Sequence, residues 1–81
     1  MKLPNDPWDE IERILREMVA LQESKVLALA RRLKPGLTAE DLRNAHDHPE
    51  LDDPDLQFED GMLAGLLAAQ TALRARRREV Q

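Results

Sequence analysis

The 81-residue chain contains no cysteine. No disulfide can staple it and no thiolate can bind a metal or attack a substrate, a composition suited to a reducing compartment. Aromatic residues are almost missing: Trp8 and Phe58 stand alone, with no tyrosine. The stacking side chains that single-strand nucleic-acid binders use are therefore nearly absent. Isoleucine, valine and threonine together number seven, against 14 leucines and ten alanines. So few β-branched residues argue against a sheet, and so much Leu and Ala favours helix. Serine occurs once, at Ser24 in mid-helix, and the three glycines form no phosphate-cradling loop. No apolar run of about 18 residues exists, so no membrane span is expected. The opening MKLPNDPWDE lacks the apolar stretch of a secretion signal. These absences lead us to expect a cytoplasmic protein that is not an enzyme and carries no cofactor.

What is present is helix and charge. The first start signal is Asp6-Pro7. Aspartate suits the N-cap, and proline suits the first helical position because its missing N–H would be unpaired there. Apolar residues then recur every three or four positions from Trp8 to Leu33, the helical period. Pro35-Gly36 stops the pattern. This spacing predicts a first helix over 7–33, about 40 Å long at 1.5 Å per residue. Ile14, Leu21 and Ala28 lie seven apart on one flank, and Val19, Val26 and Leu33 on the other. The resulting apolar arc is too wide for one partner helix. Gln22 and Lys25 interrupt it, either as side chains reaching solvent at a bundle edge or as a polar device that sets register.

Thr38 and Asp41 form a second start signal, with capping-box spacing, and predict a short helix over 39–45. An acidic connector follows over 47–60, marked by a third start signal, Asp53-Pro54. The last helix is expected over roughly 56–78, with Pro54 either beginning it directly or opening a single turn that kinks into it near Phe58. In it Gly61, Gly65 and Ala69 recur every four residues, as do Ala64, Ala68 and Ala72. Small residues at that spacing make a ridge low enough for another backbone to approach closely. A mid-helix glycine costs about 1 kcal/mol against alanine, so Gly65 calls for a packing reason.

Charge is unevenly placed within a net of −4. From Thr38 to Asp60 nine residues are acidic and one, Arg43, is basic. The tail carries Arg74, Arg76, Arg77 and Arg78. Cations complement the carbonyl end of a helix, and these four are also candidates for contacting an acidic partner. Overall acidity makes nucleic acid an unexpected partner, and a nucleic-acid-associated regulator using the arginines is an alternative reading. Metal-ligand residue types occur at His46, His48, Glu50 and Asp53. They match neither a helical zinc motif nor a calcium loop, so no metal is expected, and metal binding by the connector is the other alternative.

The fold expected is all-α, one domain over 1–81. Two long antiparallel helices, joined by a short helix and the acidic connector, complete a four-helix bundle as a homodimer. The expected packing residues are Trp8, Ile11, Leu15 and Met18 on the first helix and Gly61, Gly65 and Ala69 on the last. The expected role is a small non-catalytic interaction or assembly module, paired with itself and with a protein partner.

Overall fold

The computed structural model describes residues 6–80. Helix α1 spans Pro7–Leu33. The Asp6 side chain caps it, accepting from the Trp8 backbone N–H at 2.8 Å. At its end the Lys34 N–H reaches the Ala30 carbonyl at 2.8 Å. Gly36 then takes a φ of +84°, a left-handed conformation that a side chain would strain. Arg31 Nε donates to the Leu37 carbonyl at 2.9 Å, which ties this turn back to the helix.

Helix α2 is a short segment, Ala39–Arg43, with the full capping box between Thr38 and Asp41. It ends two residues before the predicted 45 because Asn44 leaves helical geometry, at φ −108° and ψ 41°. The connector is then ordered as two 3-10 turns, Ala45–Asp47 and Pro49–Leu51. Helix α3 runs without interruption over Pro54–Val80, longer than the predicted 56–78. Asp53 explains the earlier start: its carboxylate accepts from the Leu56 N–H at 3.0 Å and caps the helix from outside.

The two long helices pack antiparallel. Glu59 near the start of α3 meets Gln22 and Lys25 of α1, while Arg77 near its end meets Asp9 and Glu12. The chain is therefore an all-α helical hairpin. No helix among the described residues is long and apolar enough to cross a membrane.

The core sits at the loop end. Val26 and Ala30 of α1, Leu56 of α3, and Leu37 and Leu51 from the connecting segment form the buried cluster. Leu33, Leu42 and Leu63 pack around it. Toward the other end Val19 is the only further buried hydrophobic residue among those described, and the buried Gln22 and Gln70 take the place of leucines. Of the two flanks of α1, the one bearing Val19, Val26 and Leu33 turns inward. Ile14 and Leu21 remain exposed.

The molecule measures 51 × 21 × 19 Å, with a radius of gyration of 16.0 Å. A compact domain of this length would have a radius near 12 Å. One layer of two helices has no second layer to bury its broad faces against.

Candidate interaction surface

One broad side of the hairpin is open and apolar along much of its length. Ile11, Ile14, Met18 and Leu21 follow at spacings of three, four and three, which places them on one side of α1. All four are exposed, Leu21 at 74%. Met18 and Leu21 share an open groove of about 380 Å³ with Met62, Gly65 and Leu66 of α3. Closer to the loop, Phe58, 65% exposed, borders a second groove with Lys25, Ala28 and Arg32. The surface thus runs across both helices. Large exposed apolar patches of this kind mark interaction sites more often than they occur by chance on a monomer.

Each expected packing residue has a defined place in the hairpin. Trp8 and Leu15 are half-buried, whereas Ile11 and Met18 lie on the open side. Gly61, Gly65 and Ala69 are exposed. A Cβ built at Gly61 or Gly65 would meet no atom within 4 Å. Within one chain, then, the Gly/Ala ridge is not what brings α1 and α3 together.

Beside the apolar cluster at the loop end, polar contacts join the two helices at two levels. Gln22 Nε2 donates to both the Glu59 carbonyl and Glu59 Oε2, each at 2.8 Å, and Lys25 Nζ stands 3.3 Å from Oε1. The hydrogen bond from Gln22 holds the Glu59 carboxyl below the usual carboxylate range. Desolvation partly opposes this, and Lys25 assists it. Glu59 went unnoticed in the sequence reading because it resembles any other acidic connector residue. The available signal was positional: a polar residue on the stripe Leu56-Glu59-Leu63, opposite one on the stripe Val19-Gln22-Val26.

A depressed folded-state pKa means the stabilisation is present above the unfolded value and is lost as pH falls through the folded one. The melting temperature should therefore drop between about pH 6 and about pH 3. Glu59→Gln, which cannot lose that charge, should show a smaller acid-induced drop by circular dichroism. An unchanged drop would place the sensitivity elsewhere.

The arginine cluster divides. Arg77, with a side chain only 17% exposed, reaches Asp9 at 2.9 Å, Glu12 at 3.3 Å and Asp6 at 3.8 Å. The hydrogen bond to Asp9 is the main reason its pKa is raised. Arg76 pairs with Glu79 on the surface at 3.1 Å, and Arg74 and Arg78 are exposed. Sequence alone could not separate Arg77 from its neighbours, since only the placement of the opposite helix tells which arginine faces it.

The four metal-type residues point to different tasks. His46 is exposed, with Nε2 3.4 Å from Asp47 Oδ1. Lys34 Nζ lies 2.6 Å from His48 Nδ1. Glu50 also faces Lys34, at 3.7 Å, and Asp53 caps α3. Among the described residues no three His, Cys, Asp or Glu side chains gather in a cluster able to hold a metal. A cleft of about 470 Å³ does open at this end, between Leu42, Ala45, Leu51 and Leu56 under a rim of His46 and Asp60. It is the outer margin of the loop-end core.

No protein-family model, curated protein or solved structure matches this chain. The reading of the surface rests on its own chemistry.

Proposed function

We propose that this chain is a small, non-catalytic helical interaction or assembly module. It works as a homodimer in which two hairpins close over their open faces to make a four-helix bundle. The observation that carries this reading is the continuous apolar side built from Ile11, Ile14, Met18 and Leu21 with Phe58 and Met62, all exposed in the single chain. Leaving such side chains in water forgoes roughly 1.5–3 kcal/mol for each large one that could be buried. A small, elongated layer with a core only at its loop end gains most from a partner. The acidic connector and Arg74, Arg76 and Arg78 stay at the two ends of the bundle, available to a further protein. The cysteine-free composition supports a cytoplasmic setting.

The nucleic-acid and metal readings draw less support. Three acidic residues of α1 already surround Arg77. The candidate ligands are turned toward Lys34, a neighbouring aspartate and a helix start.

Sedimentation equilibrium across the micromolar range tests the proposal. The expected species has twice the 9.3 kDa chain mass. A 9.3 kDa monomer at every concentration would sink it.

A further inference from the structure

The two helices of the open face have opposite size profiles. Facing pairs follow from Gln22 beside Glu59, Met18 beside Gly65, and Asp9 beside Arg77. Between the levels of Met18 and Ile11, where α1 is bulky, α3 offers Gly65, Ala69 and Ala72. At the next level Leu21 of α1 and Met62 of α3 are both large, and toward the loop the relation reverses: α3 presents Phe58, while α1 presents Ala28 and the stem of Lys25.

Both helices also run from an acidic start to a basic end. Helix α1 goes from Asp9, Glu10 and Glu12 to Arg31 and Arg32. Helix α3 goes from Asp55, Glu59 and Asp60 to Arg76, Arg77 and Arg78. Antiparallel neighbours are therefore matched in charge at their two ends, and parallel neighbours are opposed there. Within the chain the pairs Arg77–Asp9 and Lys25–Glu59 realise this match.

A second copy can cover the face in two antiparallel ways. With the two-fold axis across the helices, α1 lies on α1 and α3 on α3. Bulky side chains then hold the α1 pair apart, and the Gly/Ala stretch of α3 cannot fill the gap left beside it, since the distance between packed helices follows the side chains at the contact. With the axis along the helices, α1 of each copy lies on α3 of the other. Bulk then meets small residues where Ile14 and Met18 of one copy face Gly65 and Ala69 of the other, Leu21 meets Met62 midway along the helices, and Phe58 meets Lys25 and Ala28 toward the loop.

We propose the second arrangement, which rests on the homodimer reading and specifies its partner surface. Ile14 and Met18 of one copy pack into the shallow valley of Gly65 and Ala69 of the other, antiparallel and in register, with the two loop ends at the same end of the bundle. Lys25 and Arg32 of one copy come beside Asp55 and Phe58 of the other, giving an ion pair and a cation–ring contact there.

The chain has no cysteine, so one introduced thiol labels one site. Pro35→Cys carries a nitroxide at the hairpin tip, outside the proposed interface. Pulsed dipolar spectroscopy, with the mass of the labelled protein measured in parallel, reads the distance between the two tips. The expected distance is about 20–30 Å, from two tips on one end of a bundle with packed helices 8–10 Å apart. A dimer mass with a distance above about 45 Å would put the tips at opposite ends and overturn this arrangement while leaving the dimer standing. A monomer mass with no dipolar coupling would remove the homodimer reading itself, and this arrangement with it.

Discussion

Gly65→Leu is expected to abolish the proposed dimer and leave a folded hairpin. The two effects have separate causes. In the single chain nothing lies within 4 Å of a Cβ at position 65, so the new side chain enters open space. Replacing a mid-helix glycine by leucine then stabilises α3 by about 0.5–1 kcal/mol, through lower backbone entropy in the unfolded state and better helix propensity. In the proposed dimer the same side chain would fill the valley assigned to Met18 and Ile14 of the other copy. A clash at the centre of a helix–helix contact pushes the layers apart along their whole length. The variant should therefore sediment as a monomer, and its melting temperature should no longer depend on protein concentration, whereas that of the parent rises with concentration. At dilutions where the parent dissociates, the variant should be the more stable of the two. A Gly65→Leu protein that remains fully dimeric would place the interface elsewhere.

The largest loss of stability is expected from Leu37→Ala. Leu37 is only 2% exposed and packs with Val26, Ala30, Leu51 and Leu56 in the one dense cluster among the described residues. Removing a buried leucine down to alanine costs about 2–5 kcal/mol, the transfer energy of the lost atoms plus the cavity left behind. Small domains have only about 5–15 kcal/mol in total. The substitution therefore removes a large share of the stability and detaches the connector from the hairpin. Urea unfolding should show a midpoint far below that of the parent, with a similar slope if the variant still unfolds in one step. Leu21→Ala provides the contrast, since Leu21 is 74% exposed in the single chain. Its cost should be small in dilute solution and appear only where the dimer forms. Equal losses for the two at all concentrations would contradict the placement of the core at the loop end.

Those variants test the two kinds of surface that the fold separates, and the sequence revealed them unequally. The start of α1 at Asp6-Pro7 and the start of α2 at Thr38 were legible because each depends on one or two side chains reaching backbone groups a few residues away. The end of α2 falls two residues before the expected one, and of the two starts that the sequence allows for α3 the direct one at Pro54 is realised. Asn44 could have continued the helix by propensity alone, and whether Asp53 or a later residue caps α3 depends on how the connector folds back. The polar pair Gln22–Glu59 was half-visible: Gln22 stood out against its apolar stripe, but its partner lies 37 residues away.

The sequence by itself determined the helical class, the extent of the first helix, and the acid-to-base polarity of both long helices. All of these follow from residues within about one or two helical turns of each other. Tertiary structure alone decided which flank of α1 turns inward. Two stripes, one through Ile14 and Leu21 and one through Val19 and Val26, have the same seven-residue period. Either could have served, until Leu37, Leu51 and Leu56 closed over Val26 and Ala30. It likewise chose Arg77 from four similar arginines, because only the one facing Asp9 and Glu12 gains their charges. The Gly/Ala ridge shows the same division. Its spacing is written in the sequence, but that its glycines lie outside the close contact of α1 with α3 follows from which neighbour each side of α3 meets once the hairpin has formed.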